Sequence, residues 1–267
     1  MRNYKIPTLT IAGSDSSGGA GVQADLKTFS AIGTYGMSVI TAITAQNTEG
    51  VFDVEELSKD IIKGQLKAVF EDIYPKGVKI GMVSSPEIIL EIAENLKKYN
   101  PEIVVVDPVM ISKSGYSLLR PEAKENLIKY LIPMAYLVTP NVPEAEEITG
   151  IKIENVEDMK KAGKKILNLG PKYVLMKGGH LDGDAVDILM GENLFEVFSS
   201  ERINKKNTHG TGCTLSSAIT SHIALGYDVV EAVRLSKIYI TEAIRHSFDI
   251  GHGVGPVNHF YKFEKVD

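Results

Sequence analysis

The stretch His209-Gly210-Thr211-Gly212-Cys213 sets two glycines, a hydroxyl and the chain's single cysteine in front of an apolar helical pattern. A glycine turn at a helix N-terminus offers backbone N–H groups and the positive end of the helix dipole to an anion. Phosphoryl transfer builds negative charge on non-bridging oxygens, so Gly210, Thr211 and Gly212 form a candidate anion hole. Cys213 then stands where a base for an attacking hydroxyl belongs. The helix N-terminus favours its thiolate, while nearby phosphate opposes it. The competing reading is a cysteine buried in first-turn packing, the commoner fate of a lone cysteine.

Other reactive groups fall where short apolar runs end. Asp107 closes "IVVVD", and a carboxylate at a strand end suits Mg²⁺, which keeps waters and takes few carboxylates; a helix-capping Asp is the alternative. Asn141 and Glu144 flank Pro143 near a helix start, a spacing that fits either the same strand-end site or a capping box. Lys177 precedes two glycines after "YVLM", where a cation could hold phosphate; a lone surface lysine is the plainer reading. Gln46 ends "SVITAITAQ", and its amide matches the donor–acceptor edge of an aminopyrimidine, or merely ties down its own loop. "GSDSSGGAG", Gly13 to Gly21, is a glycine-rich turn that either turns its N–H groups to a ligand or only leads into a helix. It lacks the Lys-Ser or Lys-Thr of a Walker A loop. Asp25, one turn into that helix, points either at the site or at solvent.

These groups need a scaffold that gathers strand ends. Short β-branched runs alternate with amphipathic segments throughout, the pattern of a parallel sheet with crossover helices. "TLTIAG", "SVITAIT", "VKIGM", "IVVVD", "YLVTPN" and "YVLMKGG" read as strands. Helical spacing begins at Ala20, runs from Leu57 to Phe70, restarts after Ser85-Pro86-Glu87, and returns over Thr211–Leu225 and Val229–Arg245. "AVDILM" and "LFEVFS" around "GEN" predict an antiparallel hairpin at a sheet edge. The expected fold is a three-layer α/β/α sandwich with a mostly parallel sheet, as one domain over residues 1–267. In such sheets ligands bind outside the carboxyl ends of the strands, where these residues lie.

Composition narrows the function. A net charge of −5 with scattered lysines argues against a nucleic-acid surface. A single cysteine excludes an internal disulfide, and the absence of a long apolar run predicts neither signal peptide nor membrane span; a cytoplasmic enzyme is expected.

Taken in order, "TIAGSDSSGGAGVQADLKTF", "TAQNTEGV", "VKIGMVSS", "VVVDPVMISKSG", "LVTPNVPEAEEITG", "VLMKGGH", "NTHGTGCTLSSAI" and "GVGPVNHF" resemble the hydroxymethylpyrimidine/phosphomethylpyrimidine kinases of thiamine biosynthesis, members of the ribokinase-like superfamily. The resemblance spans nearly the whole chain and includes Cys213, where the wider superfamily carries Asp. It implies an ATP- and Mg²⁺-dependent kinase that phosphorylates 4-amino-5-hydroxymethyl-2-methylpyrimidine and then its monophosphate. It further implies that Gln46 grips the aminopyrimidine, with Gly13, Asp25, Met82 and Val109 nearby. Asp107 and Glu144 would organise Mg²⁺ through water beside Asn141, Lys177 would hold phosphate, and Cys213 would be the base. Homodimers are common in the family. A fused C-terminal domain found in some members is not expected after "GVGPVNHF", and the loops "ISKSGYS" and "HLDGD" would shield the site. Pyridoxal kinases, some of which share the Gly-Thr-Gly-Cys turn, are the nearest rival reading. A catalytically idle nucleotide-binding regulator is the rival from another class.

Overall fold

The computed structural model describes residues 5–110, 120–179 and 184–263. Most of the two loops expected to shield the site, "ISKSGYS" and "HLDGD", lies outside the described residues.

Strand β1 (Pro7–Asp15) pairs in parallel with β2 (Tyr35–Gln46) on one side and β4 (Gly77–Ile80) on the other. The parallel run continues through β5 (Val104–Val106), β6 (Leu137–Val138) and β7 (Tyr173–Lys177). Antiparallel strands close both ends: β3 (Val51–Glu56) on β2, and the hairpin β8 (Ala185–Gly191) and β9 (Leu194–Ser200) on β7. Among the described residues the order is β3-β2-β1-β4-β5-β6-β7-β8-β9.

Period-two alternation sorts the side chains into two apolar layers. Val104 and Val106 face one way with Leu9, Ile11, Val78 and Ile80. That face carries α2 (Lys59–Asp72), α3 (Pro86–Tyr99), α4 (Pro121–Asn126), α5 (Val142–Thr149) and α6 (Val156–Leu167). Val105, Leu137, Leu175 and Leu189 face the other way, against α7 (Thr211–Ala224) and α8 (Val229–Arg245). Helix α1 (Gly21–Ile32) packs beside α7 on this second face. This is the expected α/β/α sandwich.

Local signals set the helix ends. Ser85 accepts a hydrogen bond from the Ile88 N–H with Pro86 at the first helical position, as the sequence predicts. Beyond α7, Gly226 takes φ +99°, the left-handed conformation expected of its stop signal. Among the described residues, the strand β3 and the helices α4 and α6 add to those expected. Strand β3 hides in "VFDVEE", whose paired acids blur any alternation because much of this edge strand is exposed. Helix α2 therefore starts at Lys59 behind an Ser58 cap, later than the spacing from Leu57 suggests. No described helix is long and apolar enough to cross a membrane.

Candidate active site

The parallel strands deliver their polar ends to one side of the sheet, where the N-terminus of α7 meets them. Asp107 follows β5, is fully buried, and lies under this junction. Lys177, the last residue of β7, donates to Asp107 Oδ1 at 2.9 Å; Thr139 donates to the same oxygen at 3.1 Å, and Ser216 of α7 donates to Oδ2 at 3.2 Å. Burial alone would raise the Asp107 pKa, but Lys177 and Lys79 outweigh it and hold the carboxylate ionised, below its ordinary value. Burial likewise opposes the charge on Lys177, yet Asp107 and Glu144 raise its pKa.

Gly210 caps α7 at φ +80°, and a Cβ there would sit 1.8 Å from the Gly19 carbonyl oxygen. Only glycine lets this turn press against the glycine-rich loop. The first intrahelical bond runs from Thr214 N–H to Gly210 O, so the amides of Gly210, Thr211, Gly212 and Cys213 have no partner inside the helix. Thr211 spends its amide on Thr208 O at 3.3 Å and its hydroxyl on the same oxygen at 2.7 Å. The expected row of donors is therefore interrupted at Thr211. A Cβ on Gly212 would stand 3.6 Å from both Asp107 Oδ2 and Lys177 Nζ, so the turn, the acid and the cation share one small space.

Asn141 and Glu144 form a complete capping box on α5. Asn141 Oδ1 accepts from Glu144 N–H at 2.9 Å, and Glu144 Oε2 accepts from Asn141 N–H at 2.8 Å. The plainer of the two sequence readings is thus realised, without removing Glu144 from the site. Burial raises its pKa to about 7; Lys177 opposes this and Asp107 adds to it. The residues present fit Mg²⁺: two carboxylates in one buried field, one of them reluctant to ionise, are a donor set that a hard cation with retained waters would relieve. No group of three or more acidic, histidine or cysteine residues forms a metal cage among the described residues, and Mg²⁺ does not need one.

Cys213 is half-buried at the same turn. Burial pushes its thiol up to about 11; Lys79 opposes the rise, and Asp25 and Asp107 reinforce it. The helix N-terminus does not win, so the expectation of a favoured thiolate is corrected. At neutral pH the sulfur keeps its proton.

The solvent-facing reading of Asp25 is also corrected. It is fully buried, so it does not face solvent. Its oxygens accept from Lys79 at 2.9 and 2.8 Å, from Thr10 at 2.6 Å and from Ser217 at 2.6 Å, leaving no free face for a ligand. The alternation of β4 explains this: Val78 and Ile80 enter one core layer, and Lys79 between them points at α1 and α7.

Of the residues expected around the pyrimidine, Gly13 and Met82 meet. Gly13 donates to Met82 O at 3.2 Å, and a Cβ on Gly13 would lie 2.4 Å from Met82 Cε. Val109, whose amide bonds Asp107 O at 2.8 Å, follows the β5 end and is half-buried. Gln46 ends β2; its backbone amide bonds Ser16 Oγ at 2.9 Å, and its side chain reaches Thr44 at 3.1 Å and His209 at 3.3 Å.

Asp15 and His209 are the residues that sequence reasoning missed. Asp15 Oδ1 accepts from Ser17 N–H at 2.8 Å and Ser17 Oγ at 2.7 Å. Its Oδ2 accepts from Gly19 N–H at 3.1 Å and Ala20 N–H at 2.8 Å, and lies 2.8 Å from His209 Nε2. The amides of Ser17, Gly19 and Ala20 thus close on the loop's own aspartate, in line with the reading of a turn that leads into a helix. The available signal was the order Asp-Ser-Ser-Gly-Gly, in which an acid precedes its own donors. His209 carried no such signal, because its partners lie far away in sequence.

A family model described as phosphomethylpyrimidine kinase matches residues 15–258. The thiamine biosynthesis bifunctional protein ThiED of Geobacter sulfurreducens is 51% identical over 97% of this chain, which spans only 53% of that protein's length. The hydroxymethylpyrimidine/phosphomethylpyrimidine kinase of Bacillus subtilis is 46% identical over 97% of this chain and 96% of its own. Among solved structures, the phosphomethylpyrimidine kinase of Clostridium difficile is 77% identical with a TM-score of 0.82, covering 90% of this chain and 100% of that one. An ADP complex of Bacillus subtilis pyridoxal kinase is 41% identical with a TM-score of 0.90, covering 96% and 98%.

Proposed function

The chain belongs to the phosphomethylpyrimidine kinase family, and from that premise we propose that it transfers phosphoryl groups from ATP to 4-amino-5-hydroxymethyl-2-methylpyrimidine and then to the resulting monophosphate. The diphosphate would feed thiamine biosynthesis. The observation that carries this reading is the Gly212 position, equally close to Asp107 and Lys177 at the open end of α7. A γ-phosphoryl group there meets backbone donors, a helix dipole and a cation together. Electrostatic positioning of this kind is most of what phosphoryl transfer requires of a protein.

Residue roles follow from placement. Gln46 reads the aminopyrimidine edge, with Gly13, Met82 and Val109 around the ring. Lys177 holds phosphate, and the turn Gly210 to Gly212 receives the charge that grows during transfer. Asp107 and Glu144, with Asn141 fixing Glu144, would hold Mg²⁺ through water; when bound, the ion neutralises phosphate charge. Asp25 supports the site from beneath.

Cys213 is the proton acceptor for the alcohol step. The hydroxymethyl oxygen bonds to the γ-phosphorus, ADP leaves, and the hydroxyl proton passes to sulfur. A thiol near 11 is ionised in only about one molecule in ten thousand at pH 7, but the thiolate that forms is a strong base. The second step attacks with a phosphate oxygen already ionised at neutral pH. It leans on the anion turn more than on the base. From the family we also carry over a homodimer in the cytoplasm, which sedimentation and cell fractionation would test.

The alternative is a pyridoxal kinase, favoured by the high structural similarity to the Bacillus enzyme. Gln46 argues against it, because pyridoxal lacks the amino edge that this amide matches. A coupled kinase assay on hydroxymethylpyrimidine, its monophosphate and pyridoxal, with wild type beside Gln46→Ala, decides the matter. Dominant pyridoxal turnover would sink the pyrimidine reading. ATP binding without turnover of any of the three would leave a nucleotide-binding regulator.

A further inference from the structure

The ring of His209 lies between the glycine-rich loop and the end of β2, and the roles above do not use it. Its Nε2 is 2.8 Å from Asp15 Oδ2 and 3.3 Å from Gln46 Nε2. Asp15 is an acceptor: burial opposes its charge, but the bonds from His209 and Ser17 hold its pKa below the ordinary carboxylate value. A carboxylate oxygen cannot donate, so His209 Nε2 must carry the proton between them. A glutamine NH₂ facing that N–H would set donor against donor.

The other end of the amide makes the same demand. Thr44 Oγ1 lies 2.9 Å from Ser14 O and 3.1 Å from Gln46 Oε1. The Ser14 carbonyl only accepts, so the single hydroxyl proton goes there. Thr44 then has only lone pairs to offer Gln46. The clash at both ends is relieved if the amide is turned end for end, with its carbonyl sharing the His209 N–H that Asp15 accepts at the shorter distance and its NH₂ toward Thr44.

We propose that His209, held by Asp15, is a positioning residue that fixes this orientation of Gln46 and thereby sets the order in which the substrate edge is read. In that orientation the Gln46 carbonyl keeps one lone pair beside His209, and its NH₂ keeps one proton beside Thr44. The exposed edge reads acceptor, then donor. It takes an exocyclic amino N–H on the His209 side and a ring nitrogen on the Thr44 side. Without His209 the amide is held from the Thr44 end alone, and the site loses much of its preference for the amino group while keeping its phosphate machinery. The inference rests on the proposed pyrimidine kinase activity and assigns Gln46 a mechanism of selection.

The test compares hydroxymethylpyrimidine with its analogue carrying hydrogen in place of the amino group, using kcat/KM for each. Wild type is expected to favour the amino compound by about tenfold or more, as an unmatched polar contact costs about that much. Gln46→Ala and His209→Phe should both bring the two substrates to within about threefold of each other. Phenylalanine keeps a flat ring against Gly19 and removes only the ring nitrogens. A merely structural His209 would lower both substrates alike and leave the ratio at its wild-type value, which overturns the proposal. So does a wild-type ratio in Gln46→Ala. If His209→Phe does not fold, as judged by its melt, Thr44→Val carries the test from the other end of the amide. Its ratio must fall, and an unchanged one refutes the fixed orientation. Failure of wild type to phosphorylate either pyrimidine would refute the underlying activity instead.

Discussion

Replacing Lys79 with Met tests the buried charge pair beneath the site. Lys79 and Asp25 are both fully buried, and the lysine contacts both carboxylate oxygens at 2.9 and 2.8 Å. Removing one partner of such a pair strands the other as an uncompensated charge, at a cost of about 3–5 kcal/mol. Thr10 and Ser217 still donate to Asp25 and place the expected loss toward the lower end, about 3 kcal/mol. At this chain length that corresponds to a fall of roughly 6–12 °C in Tm. The double variant Lys79→Met with Asp25→Asn removes the stranded charge and should recover a large part of the loss. Urea denaturation of wild type, both single variants and the double gives the cycle directly. A Lys79→Met protein within about 1 kcal/mol of wild type, or a double variant no better than that single one, refutes the reasoning.

Four further outcomes follow from the same structure. Gly210→Ala forces a Cβ to 1.8 Å from Gly19 O at φ +80°, so stability should fall by more than about 2 kcal/mol; a melt unchanged from wild type would contradict this. Cys213→Ala should slow the alcohol step by about 10²–10⁴-fold and the second step much less, with equal losses counting against Cys213 as base. Because the thiol sits near 11, the wild-type alcohol step should also gain rate as pH rises above neutrality, while the second stays flatter in the same assay. Burial depresses His259 to about 4, so its folded pKa lies below the unfolded value of 6.5. The neutral ring's contribution is then fully present above 6.5 and is lost as pH falls toward 4, up to about 3 kcal/mol. Urea midpoints between pH 7 and pH 4 should show this slope, and His259→Gln should lessen it, with His222, likewise depressed by burial to about 4, supplying the remainder.

Much of this molecule was legible because its signals are local. Apolar runs such as "IVVVD" named the central strands, and Ser85-Pro86 placed a helix start to the residue. Strand ends then gathered Asp107, Lys177 and the α7 turn as parallel topology requires. What stayed hidden depends on contacts across the chain. Asp25 carries no mark of its burial, since Lys79, far along in sequence, decides it. The rise of the Cys213 thiol comes first from burial, reinforced by Asp25 and Asp107 on other elements, and overrides the local helix N-terminus. The pairing of Asp15 with His209 joins residues nearly two hundred positions apart.

Ser216 and Ser217 show how the visible and hidden parts connect. In sequence they are two small residues in the "CTLSSA" helix, with no chemistry to recommend them. In the fold, Ser216 donates to Asp107 at 3.2 Å and Ser217 donates to Asp25 at 2.6 Å. Consecutive helical residues point about 100° apart, so one turn of α7 reaches the acid at the end of β5 and the acid inside α1. Each acid also holds a lysine from the sheet, Lys177 on Asp107 and Lys79 on Asp25. The N-terminal turns of α7 are therefore anchored to two ion pairs. Shifting either pair would move Gly212 relative to Lys177. Such pairs add little net stability compared with apolar packing. Their value here is positional: they fix the helix N-terminus against the strand ends.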